Sequence, residues 1–353
     1  MTKSNPGVDR ISNLPSNVIE RILGFLPLCD AVGTSALSKK WRYKWVTIPQ
    51  LVCDESFEES LNEDDDDLET IIDRILVLHR GPITKFSVKD TEIHNPASID
   101  RWLLFLSSYH SDHMEDLEVT FLGKIPLHKM PTCVFDFDCL KHLYVASVDI
   151  KLPPSFGGFG RLLKLELMYV EMELDDLEIL LSKCPMLEYL HLQIPVLNGS
   201  EKGGNIQPNH CLTVLKLDEI YFAMPDYVNF VFNLLRSSPN LQSLEISSEH
   251  SSHGNKHVAI DCLKDAPPIP LNHLKNAKIS NMSGYTVERE FVRKLLQWAT
   301  ELKKLKLKSC LSDDDDSDDA GIEPDKSKIV TTLRNLPRSS SAAKVIFKGD
   351  WRK

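Results

Sequence analysis

The sequence predicts an α/β protein in which a short helical module precedes a long array of strand-plus-helix units. Three observations support this prediction. Helix-like segments with caps and prolines occupy the stretch 14–48. A pattern of apolar residues at i, i+3 and i+5 then recurs nine times between 83 and 307, and amphipathic helical stripes lie in several of the intervals. Because apolar spacing is the primary sequence signal of secondary structure, we expect two different architectures in one chain.

The composition is that of an ordinary globular protein. The chain has 353 residues, of which 42% are hydrophobic and 26% charged. No apolar run approaches the roughly 18 residues that a bilayer span needs, so we expect no membrane association. The first ten residues are polar, and Glu20 and Arg21 interrupt the segment where a secretory signal would be apolar. These features predict a cytoplasmic or nuclear protein.

The sequence offers little metal-binding chemistry. Its eight cysteines include no CxxC pair, which argues against both a disulfide framework and a structural zinc site. His250, His253 and His257 have a spacing that could place two of them on one helical face. Their Ser, Gly and Asn neighbours are typical of a loop, so we expect no metal and no cofactor.

Two acidic runs account for the negative net charge of -10. The stretches 54–69 and 313–325 contain ten and eight acidic residues and no lysine or arginine. Such runs repel themselves, so we expect solvated, extended loops. A partner-docking or calcium-attracting role is the alternative, although neither run has the ligand spacing of an EF-hand.

The stretch 14–48 is predicted to form three short helices. An apolar stripe at helical spacing starts after Pro15 and ends at Pro27; it comprises Ile19, Ile22, Leu23 and Leu26. Asp30 and Ser38 stand where caps would begin the second and third helices, and the third would carry Trp41, Tyr43 and Trp45. So small a unit cannot bury this much apolar surface alone, which indicates a protein-binding module.

This module resembles an F-box. The resemblance is carried by Leu14-Pro15, by the IxxIL spacing that ends at Leu23, and by the LSKKWRYKW run, whose form is common in plant members. It implies docking to the Skp-family adaptor of a cullin-based ubiquitin ligase and, through the adaptor, to cullin and RING subunits. The residues implied in that interface, or in the packing that shapes it, are Leu14, Pro15, Ile19, Ile22, Leu23, Leu26, Ala36, Leu37, Ser38, Trp41 and Trp45. A helical hairpin that packs on its own chain is the alternative, and the lack of a recognised nucleic-acid fold argues against a nucleic-acid partner.

The recurring i, i+3, i+5 pattern is the LxxLxL signature of an irregular leucine-rich repeat. Its nine occurrences begin at Ile83, Met114, Leu140, Leu162, Leu187, Leu212, Leu241, Leu274 and Leu302. We therefore predict a solenoid of strand-plus-helix repeats, with the strands on the concave wall and the helices outside. An independent parallel sheet with helices on both faces is the alternative.

The carboxyl-terminal stretch 271–348 resembles the FBD segment that ends many plant F-box proteins with leucine-rich repeats. The whole stretch 9–348 is thus similar to the plant F-box/FBD/leucine-rich-repeat family. We divide it into an F-box (9–48), an acidic linker and entry helix (49–82), leucine-rich repeats (83–270) and an FBD-like set of repeats with a cap (271–348). The cap is predicted to be a helix and a strand within 322–347 that shield the edge of the last repeat.

The sequence contains no catalytic motif that we recognise. It has neither a GxSxG nucleophile elbow nor a Walker-type phosphate loop. The FGGFG stretch at 156–160 precedes a repeat strand with no helix after it, so it predicts a tight turn. The family resemblance also implies no catalytic residue, and we expect a protein that is not an enzyme.

Recognition is left to the polar positions of the repeat strands. Side chains alternate along a strand, so positions i+2, i+4 and i+6 of each repeat are predicted to face solvent. The candidate target-binding residues are His142, Tyr144, Tyr189, His191, Lys304, Lys306 and Lys308. The alternative is that these residues are ordinary exposed side chains and a charged end strand.

The predicted function is therefore the substrate-recognition subunit of an SCF-type cullin ubiquitin ligase, acting on an unknown protein target. The competing hypothesis is a leucine-rich-repeat scaffold or ligand-sensing protein without a ligase role. In that case the helical module would serve only as an end cap.

Overall fold

A computed structural model describes residues 14–61, 67–89, 91, 93–121, 125–193, 206–249, 263, 266–309 and 326–349. The chain forms two compact units, Met1–Val148 and Asp149–Lys353. Both are mixed α/β, and their main strands pair in parallel. The three histidines at 250, 253 and 257 and the acidic run 313–325 lie outside the described residues. No helix within the described part of the chain has the length and apolarity needed to cross a bilayer.

The first unit opens with two short α-helices. These are α1 (Ser16–Leu23) and α2 (Leu28–Gly33), and 3-10 turns follow at Thr34–Ala36 and Trp45–Thr47. The predicted stripe extends too far, because α1 ends at Leu23 and Leu26 lies in the turn before Pro27. The second helix begins at Leu28 with Pro27 at its N-cap, so the prediction that Asp30 caps it is also wrong.

The predicted third helix is wrong. Trp41 N donates to Ser38 O at 3.0 Å and Lys44 N donates to Trp41 O at 3.0 Å, which are i to i+3 bonds of successive tight turns. The physical reason is that burial of the two tryptophan side chains determines the backbone conformation here, and the spacing of the residues along the sequence does not. Trp41 and Trp45 are both buried, and a chain of tight turns brings both indoles inward without the regular helix that aromatic residues disfavour.

Part of the first acidic run is helical, contrary to the predicted extended loop. The carboxylate of Asp54 accepts from Phe57 N at 3.2 Å and caps α3 (Glu55–Glu59). The carboxylate of Asp67 accepts from Thr70 N at 2.7 Å and caps α4 (Leu68–Leu78). Acidic side chains at a helix amino terminus satisfy free N–H groups and complement the helix dipole, which explains why this composition supports helices.

Four strands of the first unit form a parallel ladder. In spatial order they are β1 (Gln50–Val52), β2 (Lys85–Val88), β3 (Asp116–Thr120) and β5 (His142–Ala146). The remaining elements are α5 (Pro96–His110), β4 (His128–Lys129) and a 3-10 turn at Thr132–Asp136. Phe86 of β2 pairs in register with Leu117 of β3 and contacts the buried Trp102 of α5 at a ring distance of 6.2 Å. Helix and strands therefore share one apolar core.

The second unit contains seven parallel strands in chain order. These are β7 (Lys164–Met168), β9 (Tyr189–Gln193), β10 (Val214–Ile220), β11 (Ser243–Ser248), β12 (Asn276–Met282), β13 (Lys304–Ser309) and β14 (Lys344–Lys348). Two short strands, β6 (Val148–Ile150) and β8 (Glu171–Met172), pair separately. The helices are α6 (Leu174–Ser182), α7 (Pro225–Ser237), α8 (Thr286–Trp298) and α9 (Lys326–Arg334).

Each of the nine LxxLxL occurrences coincides with one strand of these two ladders, which confirms the predicted strand positions. Equivalent leucines of neighbouring strands pair in register and stack into a buried row, as between Leu165, Leu190 and Leu215. The register shifts after Leu217 of β10 and after Ile279 of β12, beyond the paired apolar positions. The predicted terminal helix and strand are also confirmed as α9 and β14, and β14 pairs in parallel with β13.

The FGGFG stretch is a turn before β7, as predicted. Gly158 has a φ of +108°, in the region that favours glycine. A Cβ added there would lie 2.6 Å from the carbonyl oxygen of Lys183, so the backbone of the next repeat approaches too closely for a side chain. The glycine is therefore required by packing and not by phosphate binding.

Candidate functional site

The predicted adaptor-binding residues separate into two sets by burial. Ile19, Leu23, Trp41 and Trp45 are buried and form the interior of the helical module. The others are exposed or half-buried: Leu14, Pro15, Ile22, Leu26, Ala36, Leu37 and Ser38. The first set therefore holds the module together, and only the second set is available to a partner.

Two further apolar side chains are exposed that sequence reasoning did not select. Phe25 is 79% exposed and Val18 is 37% exposed. We define the exposed apolar set as Val18, Ile22, Phe25, Leu26 and Leu37. A signal was present for Val18, since it lies one turn before Ile22 on the same side of α1. Phe25 carries no periodic signal because it follows the end of α1 at Gly24.

A pocket of about 340 Å³ adjoins the exposed apolar set. Phe25 and Leu26 form part of its wall, together with Ile48 and Val52. A second pocket of about 370 Å³ is lined mainly by apolar side chains, among them Trp45 of the module. The first pocket also has polar side chains in its wall, among them Gln50 and Asp54. Recesses of this size are typical of surfaces that accept a partner's anchoring residues.

Two lysines hold the tight turns of residues 38–45, which we call the aromatic turn, against the start of α1. Lys40 Nζ donates to the carbonyl oxygen of Leu14 at 3.0 Å, and Lys44 Nζ donates to Ser16 Oγ at 2.9 Å. These bonds fix the position of the Leu14-Pro15 corner relative to the buried Trp41. Lys40 and Lys44 thus have a structural role, which the sequence alone did not reveal.

On the first unit, His142 and Tyr144 lie on the polar face of the strands, as predicted, but both have partners. His142 Nδ1 lies 2.8 Å from Asp116 Oδ1, and Lys85 Nζ lies 2.8 Å from Asp116 Oδ2. Burial alone would raise the pKa of the Asp116 carboxyl, but the bonds to His142 and Lys85 outweigh it and lower that pKa. The ammonium of Lys89 lies 3.9 Å from the ring centroid of Tyr144.

The ligand atoms of Asp116, Glu118 and His142 lie within 4.8 Å of one another, a spacing that would suit a metal ion. Lys85 already provides the positive charge, because its Nζ contacts Asp116 and also lies 3.3 Å from Glu118 Oε2. The cluster is therefore a network of ion pairs across neighbouring strands.

On the second unit, Tyr189 and His191 lie together, with ring centroids 6.5 Å apart. His191 Nε2 lies 2.7 Å from Asp218 Oδ2, and its Nδ1 lies 3.6 Å from Glu166 Oε2. Burial of the ring lowers its pKa, but the hydrogen bonds and charges of the two carboxylates outweigh burial and raise the pKa to about 9. The ring therefore stays protonated near neutral pH.

The prediction that position i+6 faces solvent is wrong at Ala146 and Gln193, although it is confirmed at Lys308. The side chains of Ala146 and Gln193 are buried, with exposed fractions of 4% and 7%. After Ala146 the chain leaves the strand through Ser147, whose φ of +58° is left-handed, so the alternation of the strand no longer applies. Positions i+2 and i+4 lie on the polar face of these strands, and position i+6 joins them where the strand continues, as at Lys308 of β13.

Lys304, Lys306 and Lys308 lie on the polar face of β13, as predicted. Lys308 is exposed and the other two are half-buried. In the parallel register, Lys304 lies beside Lys344 of β14, and Lys306 lies beside Lys278 of β12. The basic character of β13 therefore extends to both neighbouring strands.

Comparison with known proteins agrees with this architecture. The F-box domain family matches residues 11–49, and the family described as "FBD-associated F-box protein At5g56370, LRR repeats" matches residues 99–201. An F-box/LRR-repeat protein of Arabidopsis thaliana, At4g14103, is 30% identical over 286 residues, which cover 78% of this chain and 71% of the relative. The F-box/FBD/LRR-repeat protein At1g13570 of the same plant is 28% identical over 425 residues, covering 97% of this chain and 99% of the relative. The chain belongs to the plant F-box/FBD/leucine-rich-repeat family.

The exposed apolar set lies within the stretch 11–49 that the F-box family matches. F-box domains typically bind Skp-family adaptors, and F-box proteins with leucine-rich repeats are generally non-catalytic adaptors. The matches identify no enzyme family.

The protonated His191 predicts a pH dependence of stability in this F-box protein. Its pKa rises from 6.5 to about 9 on folding, so its contribution is fully present below pH 6.5 and is lost as the pH rises through 9. After discounting for solvent screening, we expect wild type to lose about 1 kcal/mol more than His191→Gln between about pH 6.5 and about pH 10. Urea unfolding at both pH values measures the difference. The exposed His273→Gln variant should behave like wild type, and a wild type and His191→Gln with equal pH dependence would contradict the assignment.

Proposed function

We propose that this protein is the substrate-recognition subunit of an SCF-type cullin ubiquitin ligase. Its F-box binds a Skp-family adaptor and, through it, the cullin and RING subunits, while the repeats bind a target protein. The observation that carries the proposal is the exposed apolar set on an otherwise well-packed F-box. The protein contributes binding and no catalytic residue, and it acts in the cytoplasm or nucleus.

The F-box has the energetic properties of a docking element. Ile19, Leu23 and the two tryptophans are already buried, so they add nothing further on binding. Phe25 and Leu37 remain 79% and 65% exposed, and burying such side chains contributes about 1.5–3 kcal/mol each. An adaptor that covers the exposed apolar set therefore gains most of its binding energy from a few side chains.

In this proposal the repeats hold a bound target protein close to the rest of the ligase. In-register strands with a continuous leucine core form a rigid support, so a bound target is held in a fixed place relative to that support. We assign adaptor binding to residues 9–48, and residues 49–82 serve as a spacer between the F-box and the repeats. Target binding is assigned to residues 83–270. Residues 271–348 cap the last repeat and add further target contacts.

A second candidate function is a scaffold or ligand-sensing protein without a ligase role. The ion pairs that His142 and His191 make within the protein favour it, because paired side chains are less available to a target. In this alternative the exposed apolar set would bind no Skp-family adaptor.

A pull-down with purified Skp-family adaptors tests the proposal. Wild type should capture at least one member of the panel, and Leu14→Ala combined with Pro15→Ala should lose most of that capture. The Leu14 carbonyl accepts from Lys40, so this corner is expected to orient the docking surface. A wild-type chain that captures no adaptor would favour the scaffold alternative. Undiminished capture by the double variant would reject the docking role of this corner.

A further inference from the structure

Six lysines share one face of the last three strands. In register, Lys304 lies beside Lys344, Lys308 beside Lys348, and Lys306 beside Lys278. We call this set the lysine face: Lys278, Lys304, Lys306, Lys308, Lys344 and Lys348. The other polar-face positions of these strands are the uncharged Asn276, Ser280 and Ile346, so no acidic residue interrupts the set.

The spacing of the lysine face makes its charges act together. Alternate residues of a strand are about 6.6 Å apart, and neighbouring strands are about 4.8 Å apart. These separations are shorter than the screening length of about 8 Å at physiological ionic strength. The face therefore presents a concentrated positive potential, and like charges on adjacent strands destabilise the free protein slightly.

Four members of the lysine face differ from other lysines of the polar face, which form ion pairs with acidic side chains of the protein. On β7, Lys164 Nζ lies 2.7 Å from Glu166 Oε1. On the lysine face, Lys278 Nζ lies 3.3 Å from Glu245 Oε2 of β11. Among the residues that the structure describes, Lys304, Lys306, Lys308 and Lys344 have no carboxylate within ion-pair distance. An external anionic partner would relieve the repulsion that these side chains experience.

The side-chain types distinguish between anionic partners. Phosphate groups are commonly held by the planar, two-pronged guanidinium of arginine, and the lysine face contains no arginine. Single-stranded nucleic acid needs aromatic side chains on which its bases can stack, and the uncharged positions on the polar face of these strands provide none. Separate ammonium groups about 6.6 Å apart match the alternate carboxylates of an extended peptide, which have the same spacing.

We propose that the lysine face docks an extended segment of a target protein that is rich in Asp and Glu. This inference deepens the proposed function, because it rests on the repeats binding a target, and it specifies the chemistry of that target. Ion pairs of exposed lysines are individually weak and additive at best, so recognition depends on several contacts at once. Binding should accordingly be strongly salt-dependent.

Fluorescence anisotropy with the full chain tests this proposal. The probes are a short labelled peptide of alternating Glu and Ser, its Gln counterpart, a phosphoserine peptide of equal net charge, and a single-stranded RNA. We expect the Glu peptide to bind more tightly than the other probes and to weaken as salt is raised. The triple variant Lys304→Gln, Lys306→Gln, Lys308→Gln should weaken its binding about tenfold.

A matched triple variant controls for net charge. Lys39→Gln, Lys129→Gln and Lys151→Gln remove the same charge from exposed positions on other elements and should leave binding unchanged. Equal losses in the two triple variants, or tighter binding of the phosphoserine peptide or the RNA, would overturn the proposal. Each titration is repeated on a chain whose aspartates in 313–319 are replaced by asparagine, so that its own acidic run cannot compete. Failure of both chains to bind the Glu peptide would also overturn it.

Adaptor capture by the same protein preparations separates this proposal from the proposed function. A chain that captures a Skp-family adaptor but does not bind the Glu peptide keeps its ligase role and loses the acidic-target assignment. A chain that binds the Glu peptide but captures no adaptor keeps the lysine face as a docking surface and loses the ligase role.

Discussion

Replacement of both Phe25 and Leu37 by aspartate is expected to reduce the affinity for a Skp-family adaptor about a hundredfold or more. Both side chains belong to the exposed apolar set, with exposed fractions of 79% and 65%. Binding would have to bury two carboxylates in place of two apolar groups, which reverses the sign of their contribution. Isothermal titration of adaptor into each chain measures the change.

The double variant should remain folded, because neither side chain contributes to the interior of the module. A matched control uses Val77→Asp and Leu104→Asp, which replace apolar side chains of similar exposure, 79% and 59%, on α4 and α5. This control should bind adaptor like wild type. Equal weakening in both double variants, or none in either, would show that the exposed apolar set is not the docking surface.

Replacement of Glu288 by alanine is expected to destabilise the second unit by about 3 kcal/mol. The carboxylate of Glu288 is buried near the start of α8 and accepts from Gly284 N at 2.7 Å and Tyr285 N at 3.0 Å. It also accepts from the hydroxyl of Ser248 on β11 at 2.8 Å. Removing it leaves several buried donors without an acceptor, which costs more than the loss of any single bond. Urea unfolding of the full chain measures the loss.

Glu290 on the same helix offers the control. Its half-buried carboxylate accepts from Arg293 Nε at 2.8 Å, and this guanidinium can turn toward solvent when the carboxylate is removed, so Glu290→Ala should cost less than Glu288→Ala. Similar losses for the two variants would mean that Glu288 does not connect the start of α8 to β11 as the geometry indicates.

Strand positions were predictable because the LxxLxL spacing reports burial directly. Every second residue of a repeat strand is apolar, as in Leu143 and Val145 of β5, and the structure buries both. The aromatic turn was not predictable by the same means. Trp41 and Trp45 are four residues apart, a spacing that an α-helix and successive tight turns both satisfy. Tertiary packing decides between these structures, and a local pattern does not contain that information.

The sequence predicted on which face of the strands the candidate site residues lie, but it did not predict which side chains they contact. The sequence placed His142 and His191 on the polar face, but their acidic partners lie on neighbouring strands. The parallel register makes such partners recognisable, since Asp116 pairs with His142 and Glu166 with His191 at equivalent repeat positions. Phe25 was missed for another reason. It lies after the end of α1, where no periodic pattern applies.

Co-elution of this protein with a Skp-family adaptor and the amino-terminal region of a cullin tests the ligase-receptor role most directly. We expect size-exclusion chromatography with light scattering to show one complex containing a single copy of each chain. The Phe25→Asp, Leu37→Asp variant should elute apart from an intact adaptor–cullin pair. If the wild-type chain also elutes apart from that pair at micromolar concentration, the protein is not the substrate receptor of such a ligase.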